Sequence, residues 1–248
     1  MAVYKSKGIV LRSIRYSEAD RILDLYTTEA GLVSAIAKGI RRTKSRFGAR
    51  LEPLSCVEFV AYHGRTLDTV TQAETLRSFH GIREDLARFE TAASMVGSVR
   101  ALSGGDEADR RVFNLLFNAL DTLEAFDSGF ENIEAALGIK LSILAGYAPQ
   151  LDVCLDCGMD LDAASEALHF VPDHGGVLCQ ECRPATGDAF PLAPGALANL
   201  RTLVEQPIRQ APVQTGPKQS VLRVVRSHVL AHAPGNTLVG PRLAGRRA

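Results

Sequence analysis

Hydrophobic positions follow two different rules along this chain, and the change comes near residue 80. Before it, apolar side chains collect in short runs rich in β-formers: Val3 to Ile14, Arg21 to Tyr26, Leu32 to Ala37, Val57 to Tyr62 and Thr66 to Thr75. Turn-forming residues separate them, among them Tyr16-Ser17-Glu18, Gly31 and His63-Gly64-Arg65. In the fourth run Val57, Phe59 and Ala61 alternate onto one face, the period-2 pattern of a half-buried strand. The fifth has Leu67 and Val70 as its main apolar residues. Five short strands at regular spacing predict a small barrel or sandwich, and the set is the size of an OB-fold barrel.

From Gly81 onward the spacing becomes helical. Val112, Leu115, Leu116, Ala119, Leu120, Leu123 and Phe126 recur at three- and four-residue steps, and so do Phe130, Ile133, Leu137, Leu141 and Leu144. Each set predicts an amphipathic helix with one buried stripe. Another helix is predicted over Arg83 to Leu102, ended by Ser103-Gly104-Gly105. Gly146-Tyr147-Ala148-Pro149 closes the Phe130–Leu144 helix. Pro194 suits the first turn of a helix through Val204 that Pro207 stops, and a last helix is predicted from Lys218 to His232. The fold class expected is α+β: an N-terminal five-stranded barrel at 1–80, a helical domain at 81–150 and 186–248, and an embedded cysteine segment at 151–185. The Gly-, Pro- and Arg-rich tail to Ala248 is expected to be mobile.

Charge adds more than bulk composition does. Lys and Arg total 28 and Asp and Glu 28, yet residues 1–80 carry 13 basic and 8 acidic side chains, 81–205 carry 8 and 20, and 206–248 carry 7 and none. Two basic ends therefore flank an acidic middle, which points the ends toward a polyanion. The mean hydropathy is +0.03. No window approaches the roughly 18 consecutive apolar residues of a membrane span, and the amino end reads as no secretory signal. A cytoplasmic protein is expected.

Four of the five cysteines fall in two Cys-x-x-Cys pairs, Cys154/Cys157 and Cys179/Cys182, enclosing 21 residues. That spacing is close to a four-cysteine zinc ribbon or knuckle. Four thiolates leave no open coordination position, so one structural Zn2+ is expected. A redox dithiol would sit at a helix start in an α/β pattern, which is absent here. His169 and His174, between the pairs, are read as ordinary loop residues, and Cys56 as a small buried side chain. His228 and His232 are read as surface or packing residues.

The segment from Lys38 to Arg50 holds six cations, Lys38, Arg41, Arg42, Lys44, Arg46 and Arg50, and no acid. On a loop between two barrel strands these would track a phosphate backbone, with salt-dependent and mostly sequence-blind affinity. Phe47 and Tyr62 could offer stacking surfaces, although the core reading is preferred for both. There is no Walker-type loop, no Gly-x-Ser-x-Gly elbow and no His-Glu-x-x-His, so no enzyme is expected.

Several stretches together resemble the RecO family of bacterial recombination mediators. They are Gly8-Ile9-Val10-Leu11-Arg12-Ser13, Tyr16-Ser17-Glu18-Ala19-Asp20-Arg21, Thr27-Thr28-Glu29-Ala30-Gly31-Leu32, Ala37-Lys38-Gly39-Ile40-Arg41-Arg42 and Lys44-Ser45-Arg46-Phe47. Farther on come Leu141 to Leu151 and Cys154-Leu155-Asp156-Cys157-Gly158, and the likeness weakens after about residue 190. The resemblance implies an OB domain, a helical domain and an embedded zinc segment. It further implies binding of single- and double-stranded DNA, annealing of strands coated by single-strand-binding protein and, with the partner RecR, loading of RecA. A zinc-containing RNA-binding or transcription adaptor is the alternative that the residues alone leave open.

Overall fold

The computed structural model describes residues 2–42, 45, 47–103, 108–163, 167–184, 187 and 189–233. Strands β1 (Val3–Arg15), β2 (Arg21–Thr27), β3 (Gly31–Ala37), β4 (Cys56–Tyr62) and β5 (Asp68–Arg77) close into a barrel in the order β1-β2-β3-β5-β4. Neighbours run antiparallel except β3 and β5, where Ala35 and Ile36 meet Asp68 and Thr69 in parallel. This is the five-stranded barrel of an OB-fold, so the barrel alternative is the one the chain adopts.

Strand β1 serves two partners. Its first part, Val3 to Ile9, pairs with β4 and its second, Gly8 to Arg15, with β2. Gly8 stands where the two overlap, and a side chain there would lie 3.2 Å from Phe59 Cε1 and 3.3 Å from Leu25 Cδ2. Val10, Leu23, Leu25, Ala35, Val57, Phe59, Ala61 and Val70 fill the interior. Strand β5 starts and ends two residues later than its sequence pattern suggests. The loop before it is tied by Asp68, whose carboxylate accepts the Gly64 N–H (3.0 Å) and the Tyr4 hydroxyl (2.5 Å).

The helix expected over Arg83–Leu102 is two helices, α1 (His80–Glu84) and α2 (Leu86–Leu102). Asp85 is extended between them, and its Oδ1 accepts the Arg88 N–H at 2.8 Å, so a capping residue splits what periodicity joined. Helix α3 spans Arg110–Ala125 and α4 spans Phe130–Leu144. The described chain groups into two compact units, Met1–Ala92 with Ser103–Glu124, and Ala93–Leu102 with Ala125–Ala248.

In the second unit α4 is the central element. It is not a one-stripe amphipathic helix, because every residue from Asn132 to Ile139 is buried. Its polar members are partnered: Asn132 donates to the Gln214 carbonyl (2.9 Å), and Glu134 accepts two bonds from Arg226 (2.6 and 2.8 Å) and one from Ser94 (2.6 Å). Helix α5 (Ala196–Glu205) starts two residues after Pro194, with Gly195 at φ 79° as its cap, so the proline precedes the helix rather than opening its first turn. Helix α6 spans Lys218–His232, as predicted, and packs on α4. Three short strands, β6 (His169–Val171), β7 (Gly176–Leu178) and β8 (Phe190–Pro191), form a small sheet ordered β7-β6-β8 that periodicity did not indicate. Among the described residues no helix is long and apolar enough to cross a membrane. The tail at 234–248 lies outside the described residues.

Gly138 marks the α4–α6 crossing: an added Cβ would sit 2.5 Å from Val225 Cγ1 on a stiff β-branched side chain, whereas at helical Gly97 it would meet nothing within 4 Å. Gly97→Ala should therefore be neutral or stabilising by up to about 1 kcal/mol from helix propensity. Gly138→Ala should destabilise by about 1–3 kcal/mol from overpacking. Urea denaturation of the two variants measures both effects.

Candidate metal centre and nucleic-acid interface

The first cysteine pair is shaped by a tight turn. Gly158 N–H donates to the Cys154 carbonyl (3.0 Å), Cys154 N–H donates to the Met159 carbonyl (2.8 Å), and Gly158 takes the left-handed φ of 71° that a turn of this kind favours. The second pair follows the β6–β7 hairpin. Leu155 N–H donates to the Val177 carbonyl (3.0 Å), joining the two cysteine loops, and the Cys179 N–H points at Cys154 Sγ (3.4 Å). Gly176 leaves room here for Leu155, three of whose side-chain carbons would lie within 2.9 Å of an added Cβ.

These contacts bring the four Sγ atoms of Cys154, Cys157, Cys179 and Cys182 within 4.8 Å of one another. The Cys157–Cys179 sulfur separation is 3.9 Å. A disulfide needs about 2.05 Å, whereas sulfurs on a tetrahedral ion with bonds of about 2.3 Å stand about 3.8 Å apart. The four cysteines therefore fit a metal ion. Among the described residues neither His169 nor His174 joins the group. His169 is buried in β6 rather than on a loop, because its strand faces the core of this segment. His228 is a packing residue, as expected: it is buried, and its Nε2 hydrogen-bonds the Tyr147 carbonyl at 2.8 Å.

Burial opposes ionisation of Cys154, yet N–H donors around Cys157, Cys179 and Asp156 outweigh it and bring the thiol down to about 6. Cys182 is pushed up by the neighbouring Cys179 and Cys157 sulfurs. Without a cation, four thiolates this close cannot all ionise. Metal uptake must then displace protons, so affinity should rise with pH from 6 to 8 and fall as acid returns them. Competition with a chromophoric chelator across that range measures the sign; a flat profile contradicts it.

The basic segment after β3 is built differently. Phe47 and Leu51, each 1% exposed, insert into the barrel core and pin the loop from beneath. Its leading part docks on the β1–β2 turn: Arg41 N–H donates to the Ala19 carbonyl (3.0 Å), Arg41 Nη1 donates to the Glu18 carbonyl (2.7 Å), and Gly39 N–H reaches Asp20 Oδ1 (2.8 Å). Lys38, Arg41 and Arg42 are all exposed there. Arg41 is held through carbonyls, which position the guanidinium without cancelling its charge. Arg50 is also exposed but lines a separate groove with Phe47 and Thr71–Glu74. Lys44 and Arg46 lie outside the described residues.

Phe47 is core, as preferred. Tyr62 is not, being 40% exposed on the outward face of β4. Strand pairing also collects cations that are far apart in sequence. Arg15 pairs with Arg21, Arg21 with Ala37, and nearby Ala35 with Asp68, so the β1–β2 turn, the exit of β3 and the β4–β5 loop share one rim. Arg12, Arg15 and Arg65 are exposed near that rim, and the sequence reading passed over all three. The signal that could have found them was their position beside loops through which OB-folds bind ligands.

Two family models match this chain: Recombination protein O N terminal over residues 1–79, and Recombination protein O C terminal over residues 83–238. The chain is 61% identical over 236 residues to the DNA repair protein RecO of Rubrobacter xylanophilus, covering 95% of this chain and 94% of that protein. It is 36% identical to that of Heliobacterium modesticaldum over 95% of this chain and 87% of the relative. It is 39% identical to that of Bifidobacterium longum subsp. infantis over 82% and 83%. With both halves matched in order and relatives aligned along nearly the whole length, the chain belongs to the RecO family of recombinational DNA repair proteins.

Proposed function

We propose that this chain is a non-catalytic recombination mediator that binds single- and double-stranded DNA and anneals complementary strands. With RecR, it helps load RecA onto DNA coated by single-strand-binding protein. Membership of the RecO family supports the repair role. The observation that carries the DNA-binding assignment is the cluster of Lys38, Arg41 and Arg42, exposed on one rim of an OB-fold barrel and free of any acidic partner among the described residues. Annealing asks for charge neutralisation that lets two polyanions approach, and no catalytic base enters it. Lys44, Arg46 and Arg50 extend the same basic segment in sequence and are assigned to the same task.

Cys154, Cys157, Cys179 and Cys182 would hold one Zn2+. Sulfur donors in a tetrahedral set suit that ion, and with all four positions filled it supplies structural cross-linking rather than an activated water. The working division is a barrel domain at 1–80 for DNA and a zinc segment at 151–185 that braces the helical domain.

Replacing Arg41 and Arg42 by Ala should weaken binding of both single strands and duplex and lower the slope of log affinity against log salt by up to about 2. Unchanged affinity and slope would remove the loop from the interface. Cys154→Ser should lose zinc by elemental analysis and lower Tm by roughly 10 °C, the equivalent of about 3–4 kcal/mol at this chain length. A variant that keeps both its zinc and its Tm contradicts the structural role.

A further inference from the structure

The four clustered cysteines are not equally sheltered. Cys154 is 1% and Cys179 4% exposed, Cys182 is half-buried, and Cys157 is open to solvent. The turn that carries Cys157 leaves it that way. The Cys154 and Gly158 N–H groups are spent on closing the turn, and a side chain added at Gly158 would meet nothing within 4 Å. Cys154, by contrast, is enclosed, with the Cys179 N–H directed at its sulfur (3.4 Å). A reagent arriving from solution therefore reaches Cys157 first.

A second feature sets what attack there produces. Cys157 and Cys179 belong to different loops, 22 positions apart in sequence, yet their sulfurs stand 3.9 Å from each other. Closing a disulfide of about 2.05 Å asks them to approach by about 1.9 Å, a short movement for a side chain on an open turn. The Leu155 N–H already ties the first loop to the Val177 carbonyl just before the second (3.0 Å), so a bond between these sulfurs joins segments that are neighbours. A disulfide inside either Cys-x-x-Cys pair would leave the two loops unlinked. Charge narrows the reagent. Asp156 and Asp160 flank Cys157 in sequence, both are exposed, and neither forms an ion pair among the described residues. Like charge repels anionic oxidants such as glutathione disulfide and leaves a small neutral peroxide free to approach.

We propose that Cys157 is a site of oxidative modification by peroxide, and that Cys179 resolves it into a disulfide joining the two cysteine loops. The Cys157 thiolate attacks the peroxide; the O–O bond breaks, the sulfur becomes a sulfenic acid and hydroxide leaves. The Cys179 thiolate then attacks that sulfur, the S–O bond breaks, and a second hydroxide leaves as the disulfide forms. Two electrons pass from the pair of sulfurs to the peroxide. Cys154 and Cys182 are then the only thiolate donors left, too few for a closed tetrahedral set, and affinity for zinc is lost. The disulfide keeps the two loops tied, so a thiol reductant restores the four-sulfur set without refolding. The proposal rests on the structural zinc assigned above and adds which sulfur is attacked and which one resolves it.

The full-length chain, with its zinc content measured by elemental analysis, is exposed to hydrogen peroxide while released metal is followed with a chromophoric chelator. Disulfides are then mapped after cleavage at acidic residues. Asp156 falls inside the first cysteine pair and Glu181 inside the second, so each pairing gives its own fragments. The expected result is loss of zinc together with a Cys157–Cys179 bond, both reversed by dithiothreitol and fresh zinc. Cys157→His keeps four donors and should hold its zinc under the same exposure, whereas Cys182→His should release it as the wild-type chain does. Zinc retained by the wild-type chain, a disulfide inside either Cys-x-x-Cys pair, or release from Cys157→His equal to wild type overturns the proposal. The wild-type mapping decides the question even where a histidine variant fails to bind zinc. A purified chain that carries no zinc before oxidation overturns the metal assignment itself.

Discussion

Barrel closure depends on β1 being long enough to pair with two strands at once. Its thirteen residues reach from Tyr62 on one neighbour to Arg21 on the other, and only where they overlap, from Gly8 to Ile9, do both ladders use the same residues. The absence of a side chain at Gly8 lets Phe59 and Leu25 fill the space beneath that overlap. With β3 and β5 joined by a short parallel ladder, the sheet has no unpaired edge to template aggregation. Among the described residues, Lys38, Arg41 and Arg42 sit on the loops at one rim of this closed wall.

The rim gains its order from contacts that are mostly backbone. Arg41 and Gly39 are held to the β1–β2 turn by the Glu18 and Ala19 carbonyls and by Asp20, so the Arg41 guanidinium is positioned through carbonyls without its charge being cancelled. Phe47 and Leu51 anchor the same segment in the barrel core. A charged loop would otherwise be costly to order; here buried apolar anchors offset the entropy lost by the exposed cations. The cysteine segment applies the same logic with sulfur in place of aromatic anchors. Its hairpin strands are buried but only three residues long, and a tetrahedral ion would add cross-links between the two cysteine loops.

Alternating and helical periodicity located all five barrel strands and the helices at Arg110–Ala125, Phe130–Leu144 and Lys218–His232, and Cys-x-x-Cys spacing picked out four cysteines that the fold brings close enough to hold a metal ion. These are legible because each depends on residue spacing within one segment. The breaks were less legible. Asp85 splits a predicted helix through a side-chain cap, and β5 begins late because Asp68 is engaged by Gly64 and Tyr4, sixty-four residues away in the latter case. Helix α4 departs from the one-sided pattern its apolar spacing predicts, because burial on every side comes from the elements packed around it.

By itself, then, the amino-acid sequence determined the five barrel strands, three of the long helices, the basic segment and four cysteines spaced to hold a metal, since those follow from local pattern and from the chemistry of residue types. Tertiary structure alone decided that Tyr62 faces water while Phe47 is core. It also decided that Arg12, Lys38 and Arg65 gather near one rim, and that Ile14, Ile22 and Ile36 pair side by side on the outer face of the barrel. The physical reason is register. Which residues of separate strands become neighbours is set by how the barrel closes, and a shift of one position would turn each of those side chains to the other face.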